Sequence, residues 1–349
     1  MAALFGFELP PELSAKEPPE SRGLLRDQVR LLVVKRRTGA VVHSRFDRLS
    51  DFLIPGDLLV FNASRTIPAS LSGWIGSDDV RVEARLAEHL PDGSWLALLL
   101  FRADDYSQRR LRPGWIIDFG RGLRAEVEGC DSTNSHLWKM RFSTSGTELL
   151  DLIYRLGEPI RYEYAAAPWD LDFYQNVYSR EPGSAEMPSA GRAFTWKTLL
   201  RLGRQGVRVA YLTLHTGLSS YMDEELDRKH PASEEEYFVS EETAEKIRSA
   251  RQIGGRVIAI GTTVVRALES AAEECGVVQP GHRYTRLTIK SGSPLRVTDG
   301  ILTGLHEPLA SHLDLLSAFL PSEQIREAYE EAIRLRYLWH EFGDLNLIV

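Results

Sequence analysis

GGRVIAIGTTVVRALESAAEE, residues 254–274, reads as a buried strand over 256–260, a turn at Gly261-Thr262-Thr263 and a helix over 264–274. An apolar strand that runs through three turn residues straight into a helix is the repeating unit of an α/β layer with parallel strands. The neighbouring segments follow suit. Upstream, a helix over 195–203 leads to a strand over 207–215, and Ser240 is placed to cap a helix that carries Glu241 and Glu242 in its first turn and ends at Gly254-Gly255. Downstream, Ser322 caps a helix with Ile325, Ala328, Tyr329, Ala332, Ile333 and Arg336 in helical spacing, and the chain closes on a strand-like LNLIV.

Between residues 68 and 145 the period drops to two. RVEARLAEHL, residues 81–90, is followed by the turn Pro91-Asp92-Gly93 and an apolar strand over 94–101, a hairpin signal, and strands over 115–119, 123–127 and 136–142 continue the pattern. This part is expected to form a small antiparallel barrel or sandwich. Because strands over 31–34 and 57–61 precede it, the simplest architecture inserts a β-barrel into an α/β domain, with residues 1–69 and 148–349 forming the α/β catalytic domain and 70–147 the insertion. Such an insertion leaves a cleft at the junction, where ligands usually bind.

A length of 349 residues suits two domains. With 43% hydrophobic and 26% charged residues, the composition is that of an ordinary globular protein. The longest obvious apolar run, 95–101, is far short of the roughly 18 residues of a membrane helix. The start, MAALFGFELPPELS, has no basic segment before its apolar residues, so a cytoplasmic, membrane-free protein is expected. Cys130 and Cys275 have no metal-ligand spacing and read as isolated thiols. The net charge of −7 argues against a surface that wraps nucleic acid throughout. It leaves room for a local patch from Arg102, Arg109, Arg110, Arg112, Arg121 and Arg124, or for a merely solvated surface.

YQNVYSREPGSAEMPSAGRAFT, residues 174–195, is the segment most like a site. Pro182, Gly183, Pro188 and Gly191 set its backbone, and Tyr174, Gln175, Tyr178, Ser184, Ser189 and Thr195 add aromatic faces and hydrogen-bonding groups; an ordered surface loop is the competing reading. His215 closes a strand, where it serves either as an acid/base group or as a structural histidine, and His306 lies on a turn as the second candidate. Gly261, Thr262 and Thr263 offer amides and hydroxyls to a carboxylate or phosphate, as any strand-to-helix turn does. Asp299 and Asp344 are loop carboxylates suited to ribose hydroxyls, a cation or plain turn chemistry. Phosphate loops, GxGxxG, metal spacings and a serine elbow are absent from the sequence.

PGDLLVFNASRTIPA (55–69), residues 174–195, TLHTGL (213–218), GGRVIAIGTTVVRALESAA (254–272), VTDGILTGLHEPLASHLDLLSAFL (297–320), AYEEAI (328–333) and FGD (342–344) together resemble the S-adenosylmethionine:tRNA ribosyltransferase-isomerase family of queuosine biosynthesis, in the family's order and over nearly the whole chain. The resemblance implies a barrel-like α/β domain with an inserted antiparallel β-barrel. It also implies transfer and isomerisation of the ribosyl part of S-adenosylmethionine onto 7-aminomethyl-7-deazaguanine in tRNA, without a metal, by a monomer. On this reading His215 and His306 are the acid/base pair. Tyr174, Gln175, Tyr178, Ser184, Gly191 and Thr195 shape a nucleoside pocket, Gly261, Thr262, Thr263 and Arg266 hold the methionyl carboxylate or a phosphate, and Arg65 and Asp299 contact substrate. The chain departs from the family pattern at Ala63, Ser70, Ala193, Gly304 and Leu309, which stand in place of polar residues, and it carries Arg192. Those departures raise two alternatives, a relative with a small-molecule acceptor and a non-catalytic binding protein.

Overall fold

The computed structural model describes residues 5–75, 80–101, 111–161, 167–220, 234–308 and 310–349. In chain order the strands are β1 (Arg30–Val34), β2 (Val41–Arg45), β3 (Leu58–Asn62), β4 (Ser64–Thr66), β5 (Ser70–Ile75), β6 (Val80–His89), β7 (Trp95–Phe101), β8 (Ile116–Gly120), β9 (Leu123–Cys130), β10 (Leu137–Phe142), β11 (Glu181–Ser184), β12 (Arg208–Leu214), β13 (Glu235–Val239), β14 (Val257–Ile260), β15 (Gly281–Thr285), β16 (Gly300–Gly304) and β17 (Leu345–Ile348). The α-helices are α1 (Gly146–Leu156), α2 (Trp196–Arg204), α3 (Glu241–Gln252), α4 (Thr262–Ala271), α5 (Ser311–Leu316) and α6 (Ser322–Arg334).

Among the described residues nine strands form a mixed sheet in the order β15-β13-β12-β3-β14-β16-β17-β1-β2. Its centre, β12, β3, β14 and β16, is parallel. Every residue of β3 is buried, because the sheet is covered on both sides. Leu58 and Val60 point into a core shared with Ala244 and Ile247 of α3 and Val264 and Leu268 of α4, while Leu59 and Phe61 face Phe46, Phe194, Leu199 and Leu202 on the other side. The helix ends obey their local signals: Thr195 accepts from the amide of Thr198 at the start of α2, and Ser240 does the same for Thr243 in α3. At α6 the expected cap is corrected, since Ser322 is the first helical residue and Pro321 occupies the cap position without a side-chain bond.

The strands between β4 and β11 close into an antiparallel barrel, β10-β7-β6-β5-β8-β9. Its interior is packed with Leu71, Val82, Ala84, Leu98, Ile117, Val127 and Met140. Ile153 of α1 and, from the α/β part, Ala185 and Leu218 join the same cluster, so the barrel is seated on the sheet through apolar contact and not through its linkers alone. The short parallel pair β4 and β11 forms the hinge-side seam, with Ser64 opposite Glu181 and Thr66 opposite Ser184.

Candidate active site

The four parallel strands place their carboxyl ends along one edge, which is where open α/β sheets bind ligands. His215 follows β12, Ala63 and Ser64 follow β3, Gly261 follows β14, and Leu305 and His306 follow β16. The barrel hairpin β6–β7 leans over the His215 end and encloses a cavity of about 210 Å³, lined by Glu88, His89 and Trp95 from the barrel, Leu149 and Leu150 from α1, and Pro182, Gly183, His215, Gly217 and Glu234–Glu236 from the α/β part. Its wall is acidic, but Glu235 is neutralised by Arg266 of α4, a buried pair closed by two hydrogen bonds.

His215 is held from three directions. Asn62 bonds both the carbonyl and the amide of Leu214 and accepts from the amide of Ser64, which locks the end of β12 to the segment after β3. Nδ1 lies 2.7 Å from the Ser64 hydroxyl, which in turn lies 2.5 Å from the Ser184 hydroxyl. Ser184 accepts from the amide of Thr216 at 3.0 Å. The ring also rests on Gly183, where a Cβ would stand 2.6 Å from Nδ1, so only glycine fits there. Burial lowers the pKa of His215, partly offset by the Glu236 and Glu181 charges, and the ring is neutral at neutral pH.

Glu186 was not singled out by the sequence, yet it braces the same loop. Its carboxylate accepts from the amide of Ser219 at 2.6 Å and its carbonyl from the hydroxyl of Thr216. Burial pushes its pKa up to about 8, a value suited to proton exchange near neutrality.

Of the expected ligand-contacting side chains, His215 alone lines this cavity, joined by Pro182 and Gly183 of the 174–195 segment. Tyr174 and Tyr178 are core residues: Tyr174 packs on Phe342, and Tyr178 packs on Phe61 with its hydroxyl against Gly191, where a Cβ would stand 1.7 Å away. Gln175 gives its amide group to both backbone atoms of Thr66. Thr195 is the α2 cap and reaches Asp27. Arg266, expected to hold an anion, is instead committed to Glu235. Asp299 precedes β16, at the sheet edge opposite His215, and accepts from the amide of Val257. Asp344 likewise bonds the amides of Arg30 and Leu338. Gly261 keeps its place before α4 at φ +100°, with Thr262 and Thr263 in the first helical turn, and Arg65 is half-buried in β4. Arg102, Arg109, Arg110 and Leu309 lie outside the described residues.

His306 belongs to a different cluster. Its Nε2 meets the Thr303 hydroxyl at 2.8 Å, its carbonyl accepts from the Trp339 indole, and its ring stacks on His312 with centroids 4.6 Å apart. Burial, with the charges of His312 and His340, holds the His306 pKa well below the ordinary range; His312, beside Arg266, and His340 are both held at about 4, again chiefly by burial. The unfolded value is about 6.5. Between pH 6.5 and about 4 the unfolded chain therefore binds more protons than the native one at these sites, so their contribution is intact above pH 6.5 and is lost on acidification. Glu186 opposes this with one proton, because its folded value is raised. A series of urea midpoints against pH is expected to fall below pH 6.5, with a slope shallower by about one proton in His312→Asn.

Three positions that depart from the family pattern meet at a second, smaller recess, lined by Arg192, Ala193 and Gly304 with Ser189, His340 and Phe342. Arg192 is buried, donates to both oxygens of Glu20 and to the carbonyl of Phe173, and lies 5.0 Å from the Phe342 ring centre. It ties residues 19–22 to the loop around the recess.

Sheet, barrel and cleft define an α/β protein with an inserted barrel and a cavity at the carboxyl edge of its parallel strands, with His215 in its lining. The sequence profile of the family described as Queuosine biosynthesis protein matches residues 2–348, and the chain belongs to that family. It is 39% identical over 351 residues to S-adenosylmethionine:tRNA ribosyltransferase-isomerase of Heliobacterium modesticaldum, covering 99% of both chains. It is 38% identical to the protein of that name from Carboxydothermus hydrogenoformans, covering 99% of this chain and 98% of that one. The crystal structure of S-adenosylmethionine tRNA ribosyltransferase from Thermotoga maritima is similar over 99% of this chain and 100% of its own, with a TM-score of 0.55 at 30% identity.

Proposed function

We propose that the chain transfers and isomerises the ribosyl moiety of S-adenosylmethionine onto 7-aminomethyl-7-deazaguanine in tRNA, giving epoxyqueuosine and releasing adenine and methionine, in the cytoplasm. The observation that carries this reading is identity of more than a third along the full length of enzymes of that name. The junction cavity suits the chemistry. A sulfonium acidifies the C5′ hydrogens beside it, so a positioned base starts the reaction and the acceptor amine attacks C1′ as adenine departs. The acidic wall of Glu88, Glu234 and Glu236 suits a cationic co-substrate, and His215 in the same lining can offer a hydrogen bond to the reacting nucleoside.

The reading with a small-molecule acceptor is not favoured. Ala63, Ser70, Ala193 and Gly304 are absent from the lining of the junction cavity: Ala63 is fully buried, Ser70 bonds Glu83 in the barrel, and the other two border the second recess. The deciding measurement is adenine release from S-adenosylmethionine with and without precursor tRNA. Release that requires the tRNA is expected; release without it points to another acceptor, and binding without turnover to a non-catalytic protein.

A further inference from the structure

Ser64 and Ser184 are both fully buried, and every hydrogen bond of their hydroxyls lies within one chain: Thr216 amide, Ser184 Oγ, Ser64 Oγ, His215 Nδ1. Each hydroxyl owns a single proton. The amide of Thr216 can only donate, so Ser184 accepts there and must send its own proton elsewhere. Among the described residues the only acceptor it meets is the Ser64 oxygen. Ser64 then has one proton left to give, and Nδ1 is its remaining neighbour. Run in this direction, the chain satisfies all its members. Run in reverse, with Nδ1–H donating to Ser64 and Ser64 to Ser184, it leaves the Ser184 proton buried without an acceptor, which is the costly outcome.

We infer that a two-serine relay fixes His215 in the neutral Nε2–H tautomer, so that it presents a hydrogen-bond donor, and not a base, to the ligand in the junction cavity. Nδ1 is turned onto Ser64 and Gly183, which leaves the Nε2 edge as the one that meets the cavity, and Nε2 has no partner among the described residues. Ser64 and Ser184 are positioning residues. The lowered pKa agrees with a ring that stays neutral. A neutral donor at this place suits an acceptor atom of a nucleoside, such as a purine ring nitrogen that gains electron density as its glycosidic bond weakens, and it stabilises that charge without giving up its proton. The identity of this ligand rests on the function proposed above; the tautomer does not.

The test is 15N NMR of the full chain labelled at histidine, with the His215 signals assigned by their loss in His215→Asn. The expected spectrum has an unprotonated Nδ1 and a protonated Nε2 across neutral pH. Ser184→Ala does not touch the ring, yet it frees Ser64 to point either way and is expected to produce a mixture of tautomers; Ser64→Thr, which keeps a hydroxyl, is expected to preserve the wild-type pattern. A protonated Nδ1 in the wild type overturns the inference, as does a tautomer unmoved by Ser184→Ala. The wild-type spectrum decides even if a variant does not fold. Addition of S-adenosylmethionine is expected to shift the Nε2 resonance. An Nε2–H tautomer in a protein that releases no adenine would sink the proposed reaction and leave this inference standing.

Discussion

His215→Asn is expected to slow adenine release by about 10²- to 10³-fold, the range associated with losing one preorganised hydrogen-bond donor to developing charge. Asparagine places its amide close to where Nδ1 sits, so the contact with Ser64 at 2.7 Å has a counterpart in the variant, while everything beyond that atom is removed. The Gly183 backbone continues to fit, because the smaller side chain relieves that approach. The loss should therefore fall on kcat, with the urea midpoint close to that of the unmodified chain. Unchanged turnover would move the chemistry away from the junction cavity, and the next candidate would be Glu186, whose raised carboxyl accepts from the amide of Ser219 on the loop after His215.

The second large effect is on stability. Glu235 and Arg266 are each less than a tenth exposed, and Arg266, lowered to about 10 by burial, meets Glu235 through two hydrogen bonds. Glu235→Ala leaves a buried guanidinium with no counter-charge, and the expected loss is about 3–5 kcal/mol in urea unfolding. Replacing both partners together, Glu235→Leu with Arg266→Met, is expected to recover most of that loss, because no charge is then stranded. If the single and double variants were equally unstable, packing and not the ion pair would be what holds β13 to α4. The pair also has a functional side. Glu235 lines the cavity, and the Arg266 charge helps to hold His312 neutral, so the pair spans the distance from the junction to the His306 cluster.

The elements of this fold were legible because their signals are local. Capping by Ser240, the buried run of β14 and the two-residue alternation from β5 to β10 each depend on a few adjacent side chains, and each appears where the pattern placed it. Family resemblance, carried by whole segments, located the carboxyl-edge loops as well. Contact partners were another matter. Tyr174 and Tyr178 have the composition of a ligand wall, but composition does not tell whether an aromatic face meets a ligand or Phe342 and Phe61. Arg266 and Asp299 looked available because their partners, Glu235 and the Val257 amide, lie 31 and 42 residues away.

By itself, then, the sequence determined the strand-to-helix units at the centre of the sheet and the β-rich insertion between them, and it pointed to the family; strands such as β2, β13 and β15 stood outside those patterns. Tertiary structure alone decided that Ser64, Gly183, Ser184 and His215 form one unit. Ser64 and Ser184 are 120 residues apart and become neighbours only because β4 and β11 pair in parallel with Thr66 opposite Ser184, and because Asn62 clamps the end of β12 beside them. Periodicity reports that a face is buried, not what covers it, and a hydrogen-bonded relay depends on what covers it.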